Sequence, residues 1–579
     1  MSLLGLSIAV LAGLWALVSI LRPDDAPAPR AALVVAMAIA AIAFGAARPT
    51  TSPPPDDAPR VLPAAGYVGS GACASCHPSE YASWSKTFHR TMTQRADKAT
   101  VLAPLETAIE AEGIRYTLSA DTDGAVWVRA DPGALDRVLI TTGSHHMQGY
   151  WVTAGRGALR MLPFVFARED RKVIARRDAF VEPPGVPQRD VRWNSNCIAC
   201  HATAGQPRAT SDHLHYETSV TELGIACEAC HGPGGSHVER HHDPIERFAL
   251  RRGAATDPTI VNPARLPADK ASAVCGQCHS YSYPSDERGF WRSGYVESFR
   301  PGQELAPSRV VLSPAVLADP EGPKVDVEVD DLFWPDGTVR VAGREYNAMI
   351  LSACFLRGEG PRKIACGSCH SMHESDPDDM LRRDRSVQRA CVSCHSMPED
   401  HSRHAPGSPG DACVACHMPK TSYALRTAIR SHRIDVPDSR GLAGEPNACN
   451  LCHLDQSRAW VATALARRRG TSDGGPPPPG TPESAMGLLT GDAAERVLWA
   501  DAMGDADALA ASGAGWEARL LTYAADHDPY AVVRYVAARS RSQVATTTQR
   551  EPPYAVEVGD DQITALARIR DDRDVTVAE

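Results

Sequence analysis

The sequence repeats one short pattern eight times: two cysteines separated by two residues and followed at once by a histidine. These copies use 16 of the 17 cysteines, and Cys354 lies outside them. The eight copies are Cys73/Cys76/His77, Cys197/Cys200/His201, Cys227/Cys230/His231, Cys275/Cys278/His279, Cys366/Cys369/His370, Cys391/Cys394/His395, Cys413/Cys416/His417 and Cys449/Cys452/His453. Any fold for this chain has to place these eight triads, so their chemistry constrains the architecture.

Three chemistries use Cys-x-x-Cys, and the histidine distinguishes them. A zinc site usually takes four ligands from two such pairs and does not need a histidine after every pair. A disulfide needs no histidine at all. Covalent attachment of c-type haem uses all three residues, because the thiols add to the porphyrin vinyl groups and the imidazole supplies the first axial bond to iron. We therefore predict eight covalently attached c-type haems, with the motif histidines as proximal iron ligands.

The region that carries the motifs has few of the periodic apolar segments that normally build a core. Haem faces are large and apolar, so eight haems would themselves form much of the interior. We predict a mainly α fold with much irregular loop, that is, a multihaem cytochrome c fold built around packed haems. Alternating runs at 114–118 and 125–129, and a further run at 309–312, predict small β elements in the long inserts.

The composition and the motif spacing divide the chain into seven predicted segments. Apolar stretches at Leu3–Leu21 and Ala31–Ala47 predict two transmembrane helices, with a cleaved signal peptide as the alternative. Both interpretations, a membrane anchor and a cleaved signal peptide, place the haem region on the periplasmic or extracytoplasmic side. The segments are a membrane anchor at 1–48, a Pro-rich tether at 49–65, a first tetrahaem region at 66–280, an insert at 281–365, a second tetrahaem region at 366–470, a Pro/Gly linker at 471–482 and a C-terminal α-helical, repeat-like domain at 483–579.

Each haem iron has a second axial position, and 13 of the 21 histidines lie outside the motifs. Twelve of them fall between the first and the last motif, which favours ligation over mere solvation. Methionine is the other candidate ligand and would raise the reduction potential. The 13 histidines are His89, His145, His146, His213, His215, His237, His241, His242, His373, His401, His404, His432 and His527. A solvated position has more weight for His213, His215, His241 and His242 than for the other histidines, and it is favoured for His527.

The stretch CEACHGPGGSH at 227–237 poses the question of which haem its last histidine serves. To reach the far face of the haem held by His231, the chain would have to pass around the porphyrin edge. Six residues span at most about 20 Å when fully extended, and the Gly-Pro-Gly-Gly segment between the two histidines favours a turn. We therefore predict that His237 binds the iron of a neighbouring haem. The same reasoning excludes His373 as a partner for the haem of His370.

Several stretches together resemble the exported multihaem c-type cytochromes related to the tetrahaem cytochrome of the hydroxylamine pathway, within the nitrite reductase and hydroxylamine oxidoreductase superfamily. They include GYVGSGACASCHPSEYASWSKTFHRTM (66–92), TGSHHMQGYW (142–151), WNSNCIACHAT (193–203), ELGIACEACHGPGGSH (222–237), CGSCHSMH (366–373), CVACHMPK (413–420) and RSHRIDVP (430–437). The resemblance implies a mostly helical haem wire in which every iron has two histidine ligands. It implies His89, His237, His373 and His432 as distal ligands, with one of His145/His146 and one of His401/His404 as further candidates.

Two departures from that superfamily bear on catalysis. The chain has no Cys-x-x-Cys-Lys motif of the kind that marks the catalytic haem of the nitrite reductases. The cross-linking tyrosine of the hydroxylamine oxidoreductases cannot be assigned, so the catalytic residues stay unknown. Near the C-terminus, DHDPYAVVRYVAARS (526–540) resembles a HEAT-type repeat, which implies a protein-contact role.

We predict electron transfer between a membrane donor and an exported or surface acceptor, because bis-histidine ligation blocks substrates from iron. The predicted partners are redox proteins, such as a quinol-oxidising membrane complex or other cytochromes, together with the membrane at the N-terminus. We predict no nucleic-acid partner. The alternative is an oxidoreductase acting on a small nitrogen or sulfur compound at one haem with an open axial site. For that alternative, the first places to search are His145 with His146, and Arg403 with His401 and His404.

Overall fold

The computed structural model describes 57–185, 190–252, 257–322, 329–384, 386–398, 400–423, 425–437, 446–471, 480–549, 559–561 and 563. The predicted membrane anchor at 1–48 lies outside these residues, as do residues 49–56 of the tether and 472–479 of the Pro/Gly linker. In the described part of the chain, no helix is both long enough and apolar enough to cross a membrane.

The strands are short, and most belong to antiparallel sheets. They are β1 (Arg60–Val61), β2 (Thr93–Arg95), β3 (Ala108–Ala111), β4 (Ile114–Ala120), β5 (Val126–Asp131), β6 (Leu135–Arg137), β7 (Ile140–Thr142), β8 (Met147–Gly155), β9 (Ala158–Ala167), β10 (Lys172–Ala175), β11 (Ala202–Thr203), β12 (Ser219–Val220), β13 (Glu222–Leu223), β14 (Ser282–Pro284), β15 (Arg309–Val311), β16 (Val341–Ala342), β17 (Lys420–Tyr423) and β18 (Thr427–Arg430).

The α-helices of the motif region have four to nine residues, and longer ones follow the last motif. They are α1 (Pro78–Trp84), α2 (Phe88–Thr91), α3 (Ile198–His201), α4 (Cys227–His231), α5 (Gly235–His242), α6 (Pro244–Arg252), α7 (Ala268–Gly276), α8 (Glu287–Ser293), α9 (Pro314–Leu317), α10 (Val329–Leu332), α11 (Glu345–Met349), α12 (Ala353–Leu356), α13 (Val387–Val392), α14 (Cys413–His417), α15 (Arg458–Arg468), α16 (Glu483–Thr490), α17 (Ala493–Ala502), α18 (Ala506–Ser512), α19 (Glu517–His527) and α20 (Ala531–Thr546).

Two antiparallel sheets separate the first motif from the second. One has five strands in the order β10-β9-β8-β7-β2, and the other has four in the order β3-β4-β5-β6. They share an apolar core, in which Leu118 and Val128 of the smaller sheet pack with Tyr150, Leu162 and Phe164 of the larger sheet. This is more β structure than the small element predicted. Strands such as β9 carry a nearly continuous buried run, which periodicity alone cannot tell from a buried helix.

The second group of motifs lies in a region with almost no apolar core of its own. Among the described residues between 360 and 437, Met380 is the only apolar side chain that is buried. Three of the eight motifs fall in this stretch, at Cys366, Cys391 and Cys413. One methionine is too little apolar surface to stabilise a segment of this length, so large apolar cofactors would have to supply its core.

The C-terminal helices α16 to α20 enclose the largest apolar core of the described chain, which includes Leu488, Trp499, Leu520 and Val533. Helix α17 begins at a capping box, in which the Asp492 carboxylate accepts hydrogen bonds from two backbone N–H groups of the first turn. The predicted helical character of this segment is confirmed. Its assignment as a HEAT-type repeat stays a prediction, as do the boundaries of the seven segments.

Polar contacts join these helices to the β17–β18 hairpin that follows the seventh motif. The Lys420 ammonium lies 2.7 Å from a carboxylate oxygen of Asp505, at the start of α18. The Arg426 guanidinium lies over the ring of Tyr535 in α20. The helical segment therefore packs directly beside the end of the motif region.

Candidate functional site

Each motif folds as a local helical turn, and we number the candidate sites 1 to 8 in chain order. In five motifs, the N–H of the histidine donates to the carbonyl of the first cysteine at 2.8 to 3.0 Å: sites 1, 4, 5, 6 and 8. The motifs of sites 3 and 7 form the helices α4 and α14. Residues three and four positions apart share one helix face, so the two thiols and the imidazole of each motif point to the same side. All 17 cysteines are free of disulfides.

Six motif histidines face a second histidine across a nearly constant gap. The separations between ring centroids are 6.3 Å for His77–His237, 6.4 Å for His231–His373, 6.3 Å for His279–His89, 6.1 Å for His370–His432, 6.2 Å for His417–His401 and 6.1 Å for His453–His404. Each pair joins a motif histidine to one from the predicted distal set.

The gap has the size of one iron ion with two axial bonds. Each iron–nitrogen bond is about 2 Å, and each nitrogen lies about 1 Å from its ring centroid, so two coordinated rings are about 6 Å apart. Direct ring stacking would bring the centroids closer, as for His145 and His146, which are 3.9 Å apart. The residues present therefore fit a bis-histidine iron at sites 1, 3, 4, 5, 7 and 8.

Hydrogen bonds orient these rings for ligation through Nε2. In seven of the paired histidines, Nδ1 lies within hydrogen-bonding distance of an oxygen, which leaves Nε2 for the metal. Five use a backbone carbonyl: His231 with Val261 at 2.7 Å, His370 with Asp379 at 3.1 Å, His404 with Ser402 at 2.8 Å, His417 with Asp435 at 2.7 Å and His432 with Arg430 at 3.1 Å. Two use a carboxylate instead: His237 with Asp257 and His279 with Glu345, both at 2.9 Å.

Burial lowers the pKa of several histidines in and around these sites and so favours the neutral form, which binds metal. Desolvation lowers the pKa of His89 and of His201 to about 4, and it does the same for His146. Burial alone would raise the pKa of Glu345. The hydrogen bond from His279 outweighs burial and holds this pKa at about 2.

The chain around CEACHGPGGSH explains why His237 faces site 1. Glu228, inside the third motif, is buried, and its carboxylate accepts hydrogen bonds from the N–H groups of Val68, Gly69 and Gly234 at 2.7 to 3.0 Å. The N–H of Gly235 donates to the carbonyl of Gly66, and a Cβ on Gly235 would lie 2.8 Å from that oxygen. The turn after the third motif is thus held against the loop before the first motif.

The structure does not bring every predicted distal histidine to an iron position. His145 and His146 stack on each other, and His145 also stacks on Phe88 at 4.4 Å. Among the described residues, no histidine ring lies 6.1 to 6.4 Å across from His201 of site 2 or His395 of site 6. Sites 2 and 6 therefore have no second histidine in this arrangement.

Two of the histidines that were considered for solvated positions, His213 and His527, lie outside the six histidine pairs. His213 stacks on Trp291 at 3.9 Å, and His527 lies beside Tyr523 in α19. His241 differs from them, because its Nε2 lies 2.9 Å from the Asp257 carboxylate that His237 also uses.

Cysteines of different motifs lie side by side, which orders the sites in space. A neighbouring thiol contributes to the pKa shift of one cysteine in each of four pairs: Cys73 beside Cys227, Cys200 beside Cys278, Cys366 beside Cys275, and Cys391 beside Cys413. Thiols lie within electrostatic reach between Cys230 and Cys275, Cys369 and Cys391, and Cys416 and Cys449. The neighbours run in the order 1-3-4-5-6-7-8, with site 2 beside site 4.

Sequence reasoning missed three carboxylates of these sites. Glu228 gave one usable signal, since it is the only charged residue at an x position of the eight motifs. Asp257 and Glu345 lie 20 and 66 residues from the histidines that they contact. Nothing in the local sequence marks either of them.

Residues 72–115 and 171–232 match the family model described as cytochrome c554 and c-prime, and residues 360–399 match that of the doubled CXXCH motif. The multiheme cytochrome MtrA of Shewanella baltica (strain OS185) is 26% identical over 106 residues, or 18% of this chain. The match spans 27% of that relative's length. The crystal structure of the outer cell wall cytochrome OcwA is similar with a TM-score of 0.47 at 18% identity, covering 83% of this chain and 100% of the other. The family models and the relative identify segments typical of multihaem c-type cytochromes in this chain.

Proposed function

We propose that this protein is an exported octahaem c-type cytochrome, anchored to the membrane by 1–48, that transfers electrons between a membrane donor and an exported or surface acceptor. The observation that carries the proposal is the unbroken series of neighbouring motif thiols from site 1 to site 8. Each thiol would attach to one edge of a porphyrin when haem is bound. Side-by-side thiols therefore favour side-by-side porphyrins, and electron tunnelling is fastest between near edges.

The chain's own residues supply attachment, orientation and exclusion. Each bound haem supplies a one-electron iron couple. The paired histidines would occupy both axial positions at six sites, and a filled position keeps small molecules off the metal. Because these rings are held by hydrogen bonds at Nδ1, they would move little between redox states, and small reorganisation favours fast transfer.

The order of sites can be tested directly. Site 6 lies between sites 5 and 7 in the series, whereas site 2 lies beside site 4 and outside the series. A ruthenium photoreductant is coupled to Glu80→Cys, beside site 1, in a Cys354→Ser background, and the protein is illuminated at high dilution with a sacrificial donor. We expect all eight haems to become reduced by intramolecular transfer. Replacing both site 6 cysteines, Cys391 and Cys394, by Ala should leave sites 7 and 8 oxidised.

The matched control is the same pair of changes at site 2, Cys197→Ala with Cys200→Ala. This variant should still reduce its seven remaining haems. Equal loss of reduction in the two variants would contradict the proposed order of sites. Full reduction of sites 7 and 8 in the site 6 variant would contradict it as well.

A second candidate function is supported by sites 2 and 6, where the described chain offers no second histidine. An iron with one open position can bind and reduce a small nitrogen or sulfur compound. His401 and His404 face sites 7 and 8, which favours ligand roles for them and leaves His145 and His146 as the remaining candidates for acid–base work. Carbon monoxide and nitrite are the probes. Ligand-induced spectral change in two reduced haems would support this function, and its absence would contradict it.

A further inference from the structure

We propose that Asp257 and Glu345 are positioning residues that lower the reduction potentials of sites 1 and 4 below those of the other bis-histidine sites. The inference rests on the proposed haem ligation by His237 and His279. It goes beyond electron transfer itself, because it assigns which haems along the wire hold electrons least tightly.

Asp257 is fixed in place by several donors. Its Oδ2 lies 2.9 Å from His237 Nδ1 and 2.9 Å from His241 Nε2. Its Oδ1 accepts the Thr259 hydroxyl at 2.6 Å and the Arg240 guanidinium at 3.3 Å. The Asp257 side chain is only 12% exposed. A carboxylate held this firmly keeps its charge directed at the His237 ring.

Glu345 holds site 4 from the proximal side. Its Oε2 lies 2.9 Å from His279 Nδ1, and the N–H of Tyr346 donates to the carbonyl of His279 at 3.0 Å. The start of α11 therefore contacts both the ring and the backbone of this motif histidine. Two independent contacts make the orientation of the carboxylate specific.

The other paired sites differ from sites 1 and 4 in the group that accepts the Nδ1 hydrogen bond. At His231, His370, His404, His417 and His432 the Nδ1 acceptor is a backbone carbonyl, which is a dipole. A carboxylate carries a full negative charge and draws the ring proton more strongly. The ligand becomes more basic and stabilises Fe(III) over Fe(II), so the reduction potential falls.

The His237, His241 and Asp257 ligand atoms also lie within 4.8 Å of one another, a spacing that would suit a divalent cation. The pairing of His237 with His77 argues against a cation there. When Nε2 of His237 binds an iron, its Nδ1 carries the proton and donates it to Asp257, so that nitrogen has no lone pair for a second metal.

The test is a spectroelectrochemical titration of the haem-loaded protein, with EPR of poised samples, for Asp257→Asn and Glu345→Gln. Each change keeps the shape and removes the charge. We expect each variant to shift one of the eight redox components about tenfold toward the reduced form, which is about 59 mV for a one-electron couple. The double variant should shift two components.

Asp435→Asn is the matched control. The backbone carbonyl of Asp435 accepts from His417 Nδ1 and survives the substitution, while its side chain is 60% exposed. This variant should shift no component tenfold. Thr259→Val gives a second, milder perturbation, because it removes a donor that competes for the Asp257 charge. It should move the site 1 component in the opposite direction.

The inference fails if Asp257→Asn and Glu345→Gln leave all eight redox components unchanged while all haems stay attached. It also fails if Asp435→Asn shifts a component as far as they do. Neither result touches the photoreduction experiment on the order of sites. Electron transfer would then stand without this account of the potentials.

Discussion

Replacement of His237 by alanine tests the distal ligation directly. His237 faces His77 at 6.3 Å, while His231, in the motif that directly precedes His237, faces His373. Removing the imidazole should therefore open one iron in eight, at site 1, and convert it from low spin to high spin. EPR and the high-spin charge-transfer band would measure the converted fraction, and mass spectrometry should still count eight covalent haems. Added imidazole should restore the low-spin state.

Two further variants identify the affected iron. Removing site 1 itself, by Cys73→Ala with Cys76→Ala, should leave the His237→Ala change with no additional high-spin iron. His242→Ala is the control on the same helix, because His242 is exposed and faces no motif histidine. If the high-spin iron persists in the protein without site 1, the pairing deduced from the ring geometry is wrong. An unchanged spin state in His237→Ala would refute it equally.

Three further outcomes follow from the described contacts. His401→Ala and His404→Ala should each open a different iron, at sites 7 and 8, so that the double variant has twice the high-spin signal of either one. Arg496→Ala should destabilise the C-terminal helices by about 3–5 kcal/mol, because it removes the guanidinium that is ion-paired with the buried Asp528 carboxylate; hydrogen exchange in α17 measures the loss. Burial raises the pKa of Glu517 from 4.5 to about 7. The native state then holds a proton that the unfolded chain has released, so stability should fall by about 3 kcal/mol as pH rises from 4.5 through 7. Exchange protection in α19 should lose this pH dependence in Glu517→Gln.

The local half of each site could be predicted from the sequence because it is contained in five residues. Two thiols and one imidazole at this spacing form one helical turn, as the α4 and α14 segments do. The long β strands could not be predicted from the local sequence in the same way. The buried run of β9 does not alternate between apolar and polar residues. Its pairing with the neighbouring strands β8 and β10 makes it a strand.

The second histidine of each site comes from a distant part of the sequence. The reach of the chain could only exclude some haems as the one that a given histidine binds. The reach of six residues argues against ligation of the site 3 haem by His237, but it does not choose among the other seven. That choice depends on Glu228, which ties the turn before His237 to the loop before Cys73 through buried hydrogen bonds. His373 is directed in the same way toward His231, in a different part of the chain. In the proposed cytochrome, each motif would attach its own haem, while the second axial ligand would come from whichever segment the tertiary fold brings across. A motif count therefore predicts how many haems attach, and only the fold predicts which irons are closed. Sites 2 and 6, where no second histidine faces the motif, are the places where that distinction decides between a wire and a catalyst.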